Sequence, residues 1–349
     1  MKNRLYDATK IDWDNLMFST KELWMLLIPI MVEQMLNSLM GMADTMMVSN
    51  VGSVAMSAVS LVDSINTLVI QVFAALATGA AIICSHYLGK GDEKGANKAA
   101  RQIFLTVIVI SLTITAGGLI FCRPLLRLIF GAVEPAVMEN SIIYFLITAS
   151  SYPFIALFNA GGAFYRSGAN SKFPMKISII SNVLNIIGNA VLIFGCNMGV
   201  AGAAISTLVS RAFCAIVVLY FLRKPKQKIV LNQYHTIRPD FPLIGKVLAI
   251  GIPAGVENGM FQFGKLAIQS TVSTLGTQAI AAQAMTVIFE NVNGIAAIAV
   301  GIGLMTVAGQ AFGAGRKEEA KYYIIKLTGY AETVLIISCA VTFLISRPI

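Results

Sequence analysis

The chain has 349 residues, of which 56% are hydrophobic and 12% charged, and its mean hydropathy is +0.75. Soluble domains carry about 25% charged residues, so this composition excludes water as the main solvent. The net charge of +9 could point to nucleic acid, but the placement of the basic residues along the chain excludes that reading below.

A bilayer core about 30 Å thick takes about 20 mostly apolar residues per helical crossing. The sequence predicts nine such spans, at residues 24–48, 56–85, 102–122, 138–164, 174–196, 200–222, 245–271, 279–310 and 325–346. The expected organisation is a cytoplasmic N-terminal segment (1–23), a first lobe of six helices (24–223), a cytoplasmic linker (224–244) and a partial second lobe of three helices (245–349). The N-terminal segment holds Asp7, Asp12 and Asp14, unlike the short basic head of a cleaved signal peptide, so it is expected to be retained.

Span one carries Glu33, Asn37 and Asp44. Each carboxylate at a helix centre costs up to about 3 kcal/mol on insertion scales. Eleven residues at about 100° each bring both acids to one face, about 16 Å apart along the axis, with Asn37 between them. That face must look inward, unless the acids sit near enough to the span ends to reach headgroup water. The same span holds Met31, Met35, Met40, Met42, Met46 and Met47, soft side chains that suit either a pocket of changeable shape or packing against lipid. Asp63 in span two and Glu332 in span nine are weaker candidates, with structural or interfacial roles expected. Between spans two and three, GKGDEKG lacks the Lys-Ser/Thr of a phosphate-binding loop and reads as a turn.

Span five places Asn182, Asn185 and Asn189 at helical spacing, one face of amides able to bridge helices or to ligate a hard cation through oxygen. In span seven Glu257, Gln262, Lys265 and Gln269 make a polar helix, and Glu290, Asn291 and Asn293 interrupt the apolar run of span eight. Helices this costly to insert line a wet cavity. The five cysteines lie singly and only His86 and His235 could join them, so neither a disulfide framework nor a zinc site is expected. No nucleophile, metalloprotease or ATPase motif occurs, and no enzyme activity is expected.

Most of the 26 Lys and Arg fall on alternate connections. They cluster in the N-terminal tail, at Lys90, Lys94, Lys98 and Arg101, at Arg166, Lys172 and Lys176, in the linker, and around Arg316, Lys317 and Lys321. The opposite side has only Arg123, Arg127 and Arg347, while Arg211 and Lys265 sit inside spans. This is the positive-inside pattern, and it places the N-terminus and linker in the cytoplasm.

Sliding the chain against itself gives an ungapped match at an offset of 224 residues: Pro29 with Pro253, Glu33 with Glu257, Gly79 with Gly303, Gly89 with Gly313, Gly91 with Gly315 and Ala96 with Ala320. An even number of helices separates spans one and seven, so the repeats are parallel. By this symmetry the second unit is expected to want about a hundred further residues and three more helices.

The stretches IPIMVEQMLNSLMGMADTMMVSNVG (28–52), FYRSGANSKFPMKISIISNVLNIIGNAVLIFG (164–195), GVAGAAISTLVSR (199–211), GIPAGVENGMFQFG (251–264) and GQAFGAG (309–315) together resemble the multidrug and toxic compound extrusion (MATE) family. The resemblance implies an all-α polytopic membrane protein with two six-helix lobes, nine of twelve helices being present here. It implies secondary active efflux from the plasma membrane of lipophilic or cationic drugs in exchange for Na⁺ or H⁺, with no other cofactor, no nucleic-acid partner, and a monomer in membrane lipid. Family members use an acid in the first helix placed as Asp44 is. They add an Asn and an Asp in the fifth helix and a Thr in the sixth, at positions matching Asn185, Asn189 and Thr207; here the second acid is an Asn. A further family acid in the seventh helix matches Phe261. Glu33, Asn37, Glu257, Lys265 and Glu290 are expected as cavity or structural polar groups. The alternatives are a flippase for a lipid-linked saccharide, which calls for a strongly basic cavity, and a non-transporting fragment.

Overall fold

The computed structural model describes residues 6–130, 134–225, 227–231, 239–273 and 277–345, with side chains placed except at 266, 269, 270, 273, 277–285, 288 and 345. His235 and Arg347 lie outside the described residues, as does the side chain of Gln269. Eleven α-helices are described: α1 (Thr20–Ser49), α2 (Ser53–Gly89), α3 (Glu93–Ile120), α4 (Cys122–Phe130), α5 (Pro135–Ser150), α6 (Tyr152–Ser167), α7 (Lys172–Asn189), α8 (Gly199–Leu222), α9 (Phe241–Ser273), α10 (Thr277–Gly313) and α11 (Lys317–Ile345). Among the described residues there is no strand.

Among the described residues, seven helices are long and apolar enough to cross a bilayer. The span expected as one helix over 138–164 is two, α5 and α6, bent by 42°. Pro153 stands at the second position of α6, where its ring lacks an N–H and restricts the residue before it, so the ladder breaks at Ser151. Helix α9, the expected seventh crossing, is continuous over 33 residues, but its Gly, Asn, Gln, Lys and Glu keep it out of the apolar set. Large apolar side chains stay exposed on the outside of the bundle, among them Ile120, Leu128, Phe263 and Phe343. A surface of that kind is stable against lipid and not against water.

Helix α1 begins with a capping box, the Ser19 hydroxyl accepting from the Glu22 N–H while the Glu22 carboxylate accepts from the Ser19 N–H. Its first turns bury Leu23, Leu26, Leu27 and Ile30 in a core with Val300 and Val307 of α10 and Tyr323 and Leu327 of α11. Reciprocally, Leu243 and Val247 at the start of α9 enter the main core of the first six spans. Each repeat therefore lends its first helix to the other repeat's packing.

The glycines matched at the 224-residue offset explain how closely the repeats approach. A Cβ on Gly89 would collide with the Gln310 carbonyl, and a Cβ on Gly313 would collide with the His86 carbonyl. Gln310 is the repeat position of His86, so α2 and α10 meet in one contact made twice, backbone against backbone. Beside it the Gln310 amide donates to the Ser167 carbonyl at 2.6 Å, and the Thr306 hydroxyl donates to the Arg166 carbonyl at 3.0 Å.

The N-terminal segment lies over the start of α11. The buried Glu319 carboxylate accepts from the Met17 N–H at 2.6 Å, and the Tyr323 hydroxyl accepts from the Phe18 N–H at 2.8 Å. The linker is pinned to α3, where the Asp240 N–H donates to Gln102 at 2.9 Å. Asp240 also pairs with Lys98 at 2.6 Å, and that ammonium holds its carboxyl below the usual range.

Arg166 was expected among the charges of a connection, but it belongs to the last turn of α6. Its guanidinium points into the bundle, 12% exposed, and lies 3.4 Å from the Glu33 carboxylate of α1, itself 6% exposed. Glu33 therefore does not reach headgroup water.

Two outcomes follow from this packing. Gly89→Ala is expected to cost about 1–3 kcal/mol by overpacking against fixed backbone, whereas Gly117→Ala, whose Cβ would meet nothing, is neutral or stabilising by about 0.5–1 kcal/mol; thermal midpoints in detergent compare them. Arg166→Met alone leaves a buried carboxylate unpaired and is expected to cost about 3–5 kcal/mol. Adding Glu33→Gln should recover more than half of that loss in the same melting assay, and a double mutant as unstable as the single one refutes the pairing.

Candidate functional site

The polar face of α1 finds its partners on α6 and α7. Beyond the Glu33–Arg166 pair, the Ser178 hydroxyl of α7 donates to Asn37 Oδ1 at 3.2 Å. About two turns further along α1, the Asn189 amide of α7 donates to Asp44 Oδ1 at 2.6 Å. From there a chain of side chains runs inward: Asn189 Nδ2 to Asn185 Oδ1 at 3.3 Å, then Asn185 Nδ2 to Thr207 Oγ1 of α8 at 3.4 Å. The structure thus brings Asp44, Asn185, Asn189 and Thr207 into one network on three helices. Both Asn185 and Asn189 are fully buried.

Local sequence explains why α7 and α8 come so close. Gly188 lets Ser206 pack where a Cβ would intrude, and the Ser206 hydroxyl donates to the Asn185 carbonyl at 2.7 Å. Immediately after Asn189 the helix widens into a π-helical turn, Ala190–Gly195, a feature found often at functional sites. Two amide atoms in this region are buried without a partner, Asn189 Oδ1 and Asn182 Nδ2. An orphaned carbonyl oxygen beside a carboxylate is an arrangement that a hard cation satisfies, since such ions take oxygen ligands from carboxylates, amides and hydroxyls. Four oxygen-bearing side chains with a single negative charge among them suit a monovalent ion or a proton.

A second polar group adjoins the first, around Asp63, for which the sequence reading expected a structural or interfacial role. Asp63 of α2 accepts from Asn66 Nδ2 at 3.1 Å and from the Tyr144 hydroxyl of α5 at 3.3 Å. The Tyr152 hydroxyl of α6 donates to Asn66 Oδ1 at 2.8 Å. Arg211 of α8 donates to the Ser151 hydroxyl at 2.8 Å, and both Asp44 and Asp63 lie within its electrostatic range. The Asn66 partner, three residues on, was open to view in the sequence; the Tyr144 and Arg211 partners were not.

The remaining expected residues stand apart from this network. Lys265 of α9 pairs with Glu290 of α10 at 2.9 Å and lies over the Phe261 ring at 5.0 Å. Glu257 is exposed. Asn293 accepts from the Ser338 hydroxyl and so joins α10 to α11. Among the described residues no cluster of His, Cys, Asp and Glu could hold a metal ion of the kind such ligands bind.

Comparisons with known proteins agree along the length of the chain. The MatE family model matches residues 29–191 and 253–349. An uncharacterized transporter of Bacillus subtilis, YisQ, is 30% identical over 76% of this chain and 59% of its own length. A probable multidrug resistance protein of Thermotoga maritima, NorM, is 29% identical over 85% of this chain and 64% of its own. The chain spans about three fifths of the length of these relatives. Among solved structures, the outward-facing conformation of a multidrug resistance MATE family transporter superposes with a TM-score of 0.88, covering 94% of this chain and 72% of that one at 21% identity. A MATE protein solved in complex with MaD3S gives 0.86 at 20% identity, covering 93% and 73%. These superpositions show a shared fold, and with a family model matched in both repeats the chain belongs to the MatE family of multi-pass membrane transporters.

Proposed function

We propose that this chain carries out, or forms most of a protein that carries out, secondary active efflux of lipophilic and cationic compounds in exchange for Na⁺ or H⁺. The observation that carries the reading is the Asp44–Asn189 bond at 2.6 Å with the Asn189 carbonyl oxygen left buried and unpartnered. With no ion present, the Asn189 NH₂ serves Asp44. When a cation reaches Asp44, a half-turn of the amide brings its oxygen to the ion, and Asn185 and Thr207 supply further oxygens. A proton on Asp44 does the same work by removing the charge that the amide neutralises. Either way the site alternates between a charged and a neutralised state, and differential binding of ion and substrate to two conformations supplies the coupling.

The names of several relatives support the substrate class, including a probable multidrug resistance protein of Thermotoga maritima and a multidrug resistance protein of Proteus mirabilis. The distribution of Lys and Arg supports a cytoplasmic N-terminus in the cell membrane. A saccharide-lipid flippase would use free basic groups in the cavity, whereas Arg211 is bonded to Ser151 and Lys265 is paired with Glu290. The protein is read as a monomer, each chain holding its own network.

The test is dye efflux from proteoliposomes under an imposed Na⁺ or pH gradient. Wild-type chain is expected to give gradient-driven flux, and Asp44→Asn to reduce it at least tenfold while leaving the fold intact. Flux in Asp44→Asn equal to wild type removes Asp44 from coupling. No gradient-driven flux from the wild-type chain rejects transport by these 349 residues alone.

A further inference from the structure

We propose that Asp63 is the second acid of this site, and that it takes the charge of a monovalent organic cation entering the cavity between α2 and α9, in competition with the ion at Asp44. The inference rests on the coupling role given to Asp44 above and assigns the substrate's counter-charge within the same polar region.

Three observations carry it. The first is access. A cavity of about 330 Å³ opens between α1, α2 and α9, and Asp63 lines it together with Thr45, Ser60, Ser64 and Gln262 and with the apolar Met56, Val59 and Leu68. Asp44 is not part of that wall; its neighbour Thr45 is. A carboxylate in a wall that mixes hydroxyls with apolar side chains suits a ligand with one positive charge and an apolar body, and the volume is within the range of small-molecule sites, about 300–1,000 Å³.

The second observation is the charge count. Asp63 and Arg211 both act on Asp44, and Arg211 acts on Asp63; when both acids are ionised, two carboxylates with one guanidinium leave a single net negative charge. Inside a bilayer an unbalanced charge is costly, so the cluster is satisfied by one positive charge and not by two. A cation at Asp63 and an ion at Asp44 therefore exclude each other electrostatically without touching. The orphaned Asn189 oxygen marks the ion's place, and the cavity marks the substrate's.

The third is the broken symmetry of the repeat. At the 224-residue offset Pro29, Gly79, Gly89 and Gly91 are all matched, Gly79 and Gly89 at close helix contacts and Gly91 at a positive-φ turn. Asp44 falls on Ile268 and Asp63 falls on Val287. Both acids are absent together from the half that shares the fold, as expected if they work as a pair on something other than folding. A purely structural role for Asp63, as acceptor for Tyr144 and Asn66, would be met by an asparagine's oxygen.

The test is equilibrium binding of methyltriphenylphosphonium to the purified 349-residue chain in lipid nanodiscs, with and without Na⁺ and at two pH values. Asp63→Asn is expected to weaken binding at least tenfold, and Asp63→Glu to hold it within about threefold of wild type. Gln262→Glu, adding an acid across the same cavity, should tighten binding severalfold; this arm serves if Asp63→Asn fails to fold, and no tightening there counts against the proposal. Wild-type affinity in Asp63→Asn, with binding lost or no longer relieved by Na⁺ or protons in Asp44→Asn, overturns the role of Asp63 and leaves Asp44 standing. Wild-type affinity in both single mutants overturns the coupling reading as well.

Discussion

A carboxylate or amide inside a bilayer has no water to return to, so every one that survives there must be answered by another part of the protein. Helix α1 carries three such groups on one face, and each is answered: Glu33 by Arg166, Asn37 by Ser178 and Asp44 by Asn189. The answers come from α6 and α7, so satisfying α1 fixes its rotation and its distance from the rest of the first repeat. The other requirement on α1 is apolar. Its first turns are buried with α10 and α11, which leaves the helix spanning the junction between repeats with its polar face turned to one of them. Position and chemistry are set by the same few residues, and moving any one would leave either a naked charge or an unfilled core.

Much of this was legible from spacing alone. Three asparagines at helical intervals, two acids eleven residues apart, and glycines in step at a fixed offset are patterns that physical constraint leaves in a linear sequence. The convergence of Asp44, Asn185, Asn189 and Thr207 came from matching positions to a family pattern, since nothing in the spacing brings span one beside span five. Arg166 was misplaced because a basic residue near a span end reads as a loop charge, and its acid lies 133 residues away. The break between α5 and α6 had a visible cause in Pro153, yet apolar content on both sides hid it. Asp63 was read as structural or interfacial for a related reason. A lone acid in a long apolar helix is indistinguishable from an interfacial one until its tyrosine and arginine neighbours arrive from α5 and α8.

The two repeats also separate what a residue does for the fold from what it does for chemistry. Where the helices must touch, the halves agree: Gly89 presses on the Gln310 backbone as Gly313 presses on that of His86, and the start of α9 enters the first core as α1 enters the second. Where the charge sits, they diverge. Glu33 is buried against Arg166 while its mate Glu257 is exposed, and Asp44 has an isoleucine for its counterpart. The polar groups of α9 and α10 instead meet each other, Lys265 with Glu290, on a partly exposed surface.

An internal repeat of this kind works as a control built into the molecule. The three helices of the second repeat match the first three spans in the same solvent, and they keep the glycine contacts while placing Ile268 and Val287 where those spans carry Asp44 and Asp63. Insertion of Asp44 and Asp63 each costs up to about 3 kcal/mol on the scale that favours their apolar counterparts. That cost is carried on one side only and concentrated around one arginine and one amide network, which supports the coupling role proposed for Asp44. The glycine contacts show the reverse pattern, present in both halves and indifferent to charge, and belong to the scaffold.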